Sequence, residues 1–482
     1  MQALKTLAVT LVVLLALAGI ANSQKWQPLT HQPTFQTDTA LLLTDGTVMM
    51  HEYSSPNWWR LKPNKMGNYV NGSWSKLASM PSNYGPLYFA SAVLADGRVI
   101  VEGGEYNFGQ GVETNLGAIY DPFADKWTKV NPPNGWSQIG DAPGIVLANG
   151  TFMMGHIFDT LSVLFDAQTL TWTATGTGKQ DRFAEEGWAQ LPDGTILTTD
   201  AINAPHAEKY LNGKWISAGS TIVRLEDPGS QEIGPMILRP NGTVFATGGN
   251  ASGSGHTSVY HPPAKRNKPG KWVPGPDIPD GNDMADAAAA LLPNGNVLCD
   301  TSPGIFNAPV TFYEYDGTKF TKAPSPGHTN IITSYMGRML VLPTGQILWA
   351  IADGLTIDVE IYKPAGKADR AWAPTITSAP SAITRGSSYS ISGTQFNGLS
   401  AGADYGDDAQ MASNYPLVRI TNDATQHVFY ARTHDHSTMA VATGTKPVST
   451  NFDVPAKMET GASHLSVVAV GIASDPVAVT VQ

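Results

Sequence analysis

Between Thr37 and Trp349 one short pattern recurs seven times: an apolar run, a two-residue turn ending in glycine, and a second apolar run. The copies read TALLLTDGTVMM, ASAVLADGRVIV, PGIVLANGTFMM, WAQLPDGTILTT, PMILRPNGTVFA, AAALLPNGNVLC and MLVLPTGQILWA, with turn glycines Gly46, Gly97, Gly150, Gly194, Gly242, Gly295 and Gly345. Asp-Gly and Asn-Gly between apolar runs are strong hairpin signals, because the tight turn joining two twisted strands needs positive φ at its central residues. Successive glycines lie 51, 53, 44, 48, 53 and 50 residues apart. A period of about 50 residues with one hairpin per unit describes β-propeller blades rather than helical repeats. Seven such units can close a ring.

After each hairpin comes an aromatic residue, often followed by Asp or Pro, then a turn and a second large aromatic: Tyr120 to Trp127, Phe165 to Trp172, Tyr210 to Trp215, Tyr260 to Trp272 and Tyr315 to Phe320. These pairs predict the third and fourth strands of each unit, with the rings buried between neighbouring blades. Gly103-Gly104 and Gly248-Gly249 occupy the double-glycine position of kelch-type blades. Upstream of the first hairpin, Lys25-Trp26 repeats the fourth-strand pattern of Lys214-Trp215 and Lys271-Trp272. An N-terminal strand is therefore expected to complete the last blade and remove an exposed sheet edge. The period stops near Ala373, and short alternating runs separated by Gly, Asn and Asp then continue to Gln482. That pattern suits a small antiparallel Ig-like sandwich. The expected order is a signal peptide over 1–23, a seven-bladed kelch-like propeller over 24–372 and a sandwich over 373–482, an all-β fold.

The N-terminus has Lys5, an apolar stretch from Leu7 to Ile20, and small residues at Ala21 and Ser23. This is the plan of a secretory signal, and no later stretch is long and apolar enough to span a membrane. The mature chain is expected outside the cell, or in the periplasm of a Gram-negative host. Its single cysteine, Cys299, excludes an intramolecular disulfide framework and falls in an apolar strand, as a small buried hydrophobe would. A net charge of -10 argues against a nucleic-acid partner, which needs a basic face.

In a propeller the first strand of each blade starts at one mouth of the central channel. Counting nine residues back from each turn glycine places Thr37, Tyr88, Asp141, Glu185, Ile233, Asp286 and Met336 at that rim, with Asp38, Glu186, Glu232 and Tyr335 as neighbours should the register shift by one. Such a mouth is acidic. Converging carboxylates must be solvated, protonated or bridged by a cation, and the pattern suits a hard metal ion such as calcium, an acid/base pair, or sugar hydroxyls. It equally suits a hydrated channel in which the carboxylates bond only backbone and water. Asp141, Glu185 and Asp286 are the candidate acids and bases, with Tyr335 and His434 assisting. His434 and His436, two apart on a strand, can share a face and bind zinc or copper, or serve hydrogen bonding alone. Asp404 to Asp408 forms a second acidic loop whose spacing matches no EF-hand.

The order of signal, seven kelch-like units and C-terminal sandwich resembles the galactose oxidase and glyoxal oxidase family of secreted copper-radical enzymes, whose C-terminal module is of the early-set type. The local matches are YMGRMLVLPTGQI, from Tyr335 to Ile347, and Arg432 to Ser437. The resemblance implies copper held by two tyrosines and two histidines, one tyrosine being cross-linked to a cysteine. Carried over, the cysteine position falls on Tyr88, the cross-linked tyrosine on Asp141, the tyrosine-histidine pair on Tyr335 and Met336, and the last histidine on His434. Only Tyr335 and His434 retain the family's residue types. The expectation is a secreted relative without the radical site that engages extracellular carbohydrate at the channel mouth, by binding or by non-radical chemistry. Two alternatives stand beside it: a metal-dependent oxidoreductase with a rearranged set of Tyr335, His434, His436 and Asp141, and a non-catalytic protein-interaction module.

Overall fold

A computed structural model describes residues 24–406 and 411–482; the expected signal segment, 1–23, lies outside them. The described chain is all-β, broken only by three single-turn 3-10 helices. Each hairpin read from the sequence forms, and each turn glycine takes positive φ, from 74° at Gly46 to 87° at Gly150.

The first six repeat units each supply four strands in sequential antiparallel order, and the seventh supplies three. The first unit pairs Thr37–Leu42, Val48–Glu52, Trp58–Lys62 and Ser73–Lys76, and the second pairs Ala90–Val93, Val99–Glu102, Gly117–Asp121 and Lys126–Val130. Units three to five repeat the arrangement, and in the sixth the run is extended by extra strands. The last sheet joins Gly337–Val341, Ile347–Ile351 and Val359–Lys363 to the N-terminal strand Lys25–Pro28, with Trp26 opposite Tyr362. The two ends of the repeat region thus share one sheet.

First strands of successive units lie side by side: Thr37–Leu42 packs against Ala90–Val93 on one flank and Gly337–Val341 on the other. Between units three and four the link is a hydrogen bond from the Gln190 side chain to the Val146 carbonyl at 3.0 Å. The rings of Tyr120 and Trp127, Phe165 and Trp172, and Tyr260 and Trp272 pack at 4.8 to 5.0 Å within their sheets. Cys299 is buried in the second strand of unit six.

From Thr375 the strands join a different sheet of nine, around a separate core that includes Ile391, Val418, Phe452, Leu465 and Val479. These strands cover the hairpin-turn side of the repeat units: Gly46 lies against the Tyr430 ring, Gly97 against the Thr433 carbonyl and Gly345 against Gly471. A side chain would collide at Gly46 and Gly345 and be crowded at Gly97, and at all three it would demand a disfavoured backbone. No helix among the described residues is long and apolar enough to cross a membrane.

Candidate functional site

With one side of the repeat units covered, the first strands begin on the other side, and their leading residues converge there. Tyr88, Asp141, Glu185 and Asp286, each nine residues ahead of its turn glycine, line one cavity of about 360 Å³. In units five and seven the neighbours Glu232 and Tyr335 take the places of Ile233 and Met336. Unit one contributes nothing to the lining. Thr37 is buried and donates to the Ile351 carbonyl at 2.7 Å, and Asp38 is buried against His51 at 2.9 Å.

Other lining residues do not follow the period. Glu105 and Tyr106 come from the loop after the Gly103-Gly104 pair, and Phe306 from the corresponding loop of unit six. Tyr405 comes from the C-terminal region. The short strand Ala403–Asp404 pairs with the first strand of unit six, Ala289 opposite Asp404, and Asp404 Oδ2 accepts from the Met236 amide at 2.9 Å. Gly406 follows at φ 155°, its carbonyl pressed against Gly187, so a C-terminal segment reaches into the middle of the repeat units. Asp404, read from the sequence as the start of an acidic loop, anchors this segment; Asp407 and Asp408 lie outside the described residues.

The backbone at this site is strained in a repeated way. Tyr88, Glu185 and Asp286 occupy the same repeat position in units two, four and six, and all have left-handed φ, at 52°, 64° and 43°. Phe306 joins them at 62°. Such conformations are disfavoured for side chains with a Cβ and concentrate where geometry is dictated by function. Here they turn three side chains toward a common space.

Oxygens of Glu185, Glu232 and Asp286 lie within 4.8 Å of one another. Burial pushes the Glu232 carboxyl up to about 9, reinforced by the charge of Asp286 and by the hydrogen bond Glu232 donates to it, while a hydrogen bond from Glu185 acts in the opposite sense. Glu232 is thus held neutral at neutral pH beside Asp286, whose negative charge helps to raise it, a pairing of unlike protonation states that acid/base chemistry uses. Behind the cavity Glu113 is pushed up to about 7 by burial and by Glu105, and Glu105 is itself raised by burial.

Beneath Tyr405 lies Arg338, fully buried, its guanidinium 4.0 Å from the Tyr405 ring centre and 5.8 Å from that of Tyr88. It donates to the carbonyls of Tyr335 at 2.7 Å and Gly337 at 3.0 Å, and Asp38 stands 3.5 Å away. The cavity floor is therefore a packed aromatic and cationic layer.

The histidines are elsewhere. His434 faces Asp435 at 2.7 Å and Asp453 at 3.2 Å, while His436 is buried with Nδ1 2.8 Å from Thr450 Oγ1. Both lie beside the hairpin turns, the Thr433 amide bonding the Thr44 carbonyl and the His436 amide the Ala95 carbonyl. Neither lines the cavity with Tyr335 and Asp141, so the metal set of Tyr335, Asp141, His434 and His436 is not assembled and His434 does not assist Asp141, Glu185 and Asp286. The reason is topological: the C-terminal segment that enters the repeat units is the one carrying Tyr405.

The donor set also decides what metal the cavity suits. Among the described residues no imidazole or thiol lines it; its side-chain donors are carboxyls and phenols, which suit a hard, oxygen-ligated ion such as calcium and do not supply the two imidazoles that the family resemblance implies for copper. With Tyr88 where a cysteine and Asp141 where a cross-linked tyrosine would stand, that cofactor does not fit this site. A second carboxylate group, Asp181, Glu186 and Asp200, is buried and already holds a cation, Lys179, 2.8 Å from Glu186 and 3.9 Å from Asp200.

No family model matches the chain. A kelch-like protein, terF, from Aspergillus terreus is 26% identical over 133 residues, covering 26% of this chain; the chain thus spans about a quarter of the length of the curated relative it matches. Among solved structures, a fungal alcohol oxidase of the AA5 family in complex with copper superposes with a TM-score of 0.55 at 14% identity, over 96% of this chain and 100% of that one. A catalytically inactive virginiamycin B lyase from Staphylococcus aureus with quinupristin gives 0.50 at 10% identity, over 71% of this chain and 100% of that one. At these identities the likeness is one of fold: this chain has a kelch-type, propeller-like architecture similar to that of the copper-bound alcohol oxidase.

Proposed function

We propose that the chain is a secreted protein built as a seven-bladed kelch-type propeller over 24–372 and an early-set, Ig-like sandwich over 373–482, and that it engages extracellular carbohydrate at the acidic, tyrosine-rich cavity. One observation carries this reading: the hydrogen-bonded carboxyls Glu185, Glu232 and Asp286 stand among aromatic rings, Glu185 and Asp286 on backbone strained at equivalent repeat positions. Carboxylates accept hydrogen bonds from sugar hydroxyls, tyrosine rings pack against the apolar faces of sugar rings, and a cavity of this size admits one or two such rings.

The same trio gives the reading a chemical form. Neutral Glu232 is placed to donate a proton to a leaving oxygen, and an ionised neighbour is placed to activate water or support developing positive charge. Copper-radical oxidation, the activity implied by the family resemblance, is set aside because the donors it needs are not at the cavity. The test is binding of a panel of neutral and charged oligosaccharides to the protein and to its Glu232→Gln and Asp286→Asn variants, followed by product analysis for the oligosaccharides that bind. Binding that both variants weaken supports the proposal; a panel that shows none, or binding indifferent to both changes, overturns it.

A further inference from the structure

Every charged side chain that lines the cavity, among the described residues, is acidic: Glu105, Asp141, Glu185, Glu232 and Asp286. The remaining five lining residues are aromatic, four tyrosines and one phenylalanine. These are independent preferences for the same kind of guest. A carboxylate attracts a cation by charge, while an aromatic ring attracts it through the negative face of its π-system. The rings that form the floor already act this way toward the protein itself, since the Arg338 guanidinium lies over Tyr405 and Tyr88. That cation does not serve the cavity: it is fully buried, donates to the Tyr335 and Gly337 carbonyls and stands beside Asp38.

A neutral sugar does not account for this composition. Sugar hydroxyls are donors as well as acceptors, and sites for them pair acidic groups with amides, guanidinium groups or lysines that donate in return. Here the lining groups that can donate are phenols and protonated carboxyls. A guest bearing an ammonium group finds acceptor oxygens on the carboxyls and phenols and the faces of the rings, and it offsets the repulsion among carboxyls whose oxygens lie within 4.8 Å.

We propose that the group this cavity receives is an organic ammonium ion and, resting on the carbohydrate reading above, that the ligand is a glycan carrying free amino groups rather than acetylated or neutral ones. The amine sits among Glu185, Glu232 and Asp286, with its sugar ring against Tyr106 and Tyr335.

The experiment compares three probes by calorimetry at low and at high salt: a glucosamine hexamer, an N-acetylglucosamine hexamer of the same linkage, and spermidine. The purified protein is used alongside its Asp286→Asn and Tyr106→Ala variants, each first checked for an unchanged circular dichroism spectrum. The expected result is that the glucosamine hexamer binds at least about tenfold tighter than its acetylated counterpart, equivalent to about 1.4 kcal/mol, that salt weakens it, and that both variants erode the preference. Equal binding of the two hexamers, insensitive to salt, overturns the ammonium proposal and leaves the carbohydrate reading standing. Binding of spermidine alone, weakened by Asp286→Asn, overturns the carbohydrate reading and retains the cation site. Binding of none of the three overturns both.

Discussion

The hydroxyl of Tyr405 donates to the carbonyl of Tyr335 at 2.7 Å, across 70 positions of sequence. This bond fixes a C-terminal segment to the leading edge of the last repeat unit, at the wall of the candidate cavity. Tyr405 also covers Arg338, with the guanidinium 4.0 Å from its ring centre. Tyr405→Phe should therefore keep the stacking and lose one hydrogen bond, costing about 1 kcal/mol of stability. Tyr405→Ala should lose both, cost about 3 to 5 kcal/mol as a buried aromatic truncation does, and abolish ligand binding by opening the floor. Urea denaturation and ligand titration of the two variants check this; equal behaviour of Phe and Ala would mean that the ring is not a structural floor.

Glu232 links cavity chemistry to pH. Its folded-state carboxyl is raised to about 9, above the ordinary carboxylate range, so the fold favours its neutral form. The sign follows: its contribution to stability is whole below the ordinary range and is lost progressively as pH rises toward about 9. Glu232→Gln keeps the shape and cannot ionise. Its stability should be close to that of the unmodified protein at acidic pH and exceed it under alkaline conditions, with any cleaving activity lost. Urea midpoints measured across this range test the expectation; parallel curves for the two proteins would contradict it.

The sequence made the site legible as far as the repeat extends. The hairpin period placed Tyr88, Asp141, Glu185 and Asp286 at the rim, and a one-residue slip accounts for Glu232 and Tyr335 in place of Ile233 and Met336. In unit five the slip has a local cause, a register shift between Ile233 and Met236. Glu105, Tyr106 and Phe306 escaped because they sit on loops whose lengths vary from unit to unit, although Glu105 and Tyr106 directly follow a double glycine. Tyr405 escaped for a different reason. Its position depends on the long-range contacts of its neighbour Asp404 with Ala289 and Met236, and periodicity within the repeats carries no information about that. The same ignorance made His434 and His436 look available, whereas the hairpin turns hold them. Local turn chemistry is written in a few adjacent residues; which C-terminal segment enters the repeat units is decided by packing between distant parts of the chain.

Glu102 is buried at the end of the second strand of unit two, and neither carboxyl oxygen has a hydrogen-bond partner among the described residues. Burial holds its carboxyl well above the ordinary range, and Gly117 is the residue against which it packs. Replacing such an orphan by an apolar side chain of similar length removes a desolvation cost of about 1 to 3 kcal/mol. Glu102→Met should accordingly match or exceed the unmodified protein in melting temperature near neutral pH, and its advantage should widen as pH rises, because the native carboxyl resists ionisation that the unfolded chain permits. Thermal melts at several pH values decide the matter, a drop in melting temperature at every pH being the contrary outcome.

Lys179 presents the opposite case, a buried charge with more than enough partners. Its ammonium lies 2.8 Å from Glu186, 2.7 Å from Glu208 and 3.9 Å from Asp200, and 5.1 Å from the Phe183 ring centre. Burial alone would lower its pKa, but Glu186, Asp200 and Glu208 together hold it above the ordinary value. Lys179→Met leaves the carboxyls without their cation, and breaking a buried pair from one side typically costs about 3 to 5 kcal/mol. The loss should shrink as pH falls, because protonation relieves the stranded carboxylates; Asp200 is already raised to about 6 by burial even with the lysine present. Since Glu186 is the sequence neighbour of the cavity residue Glu185, the variant should also weaken ligand binding without touching the ligand. Denaturation of the variant at neutral and acidic pH, with ligand titration under conditions where it is folded, tests both parts. A destabilisation independent of pH would mean that lost packing around the lysine stem, and not stranded charge, sets the cost.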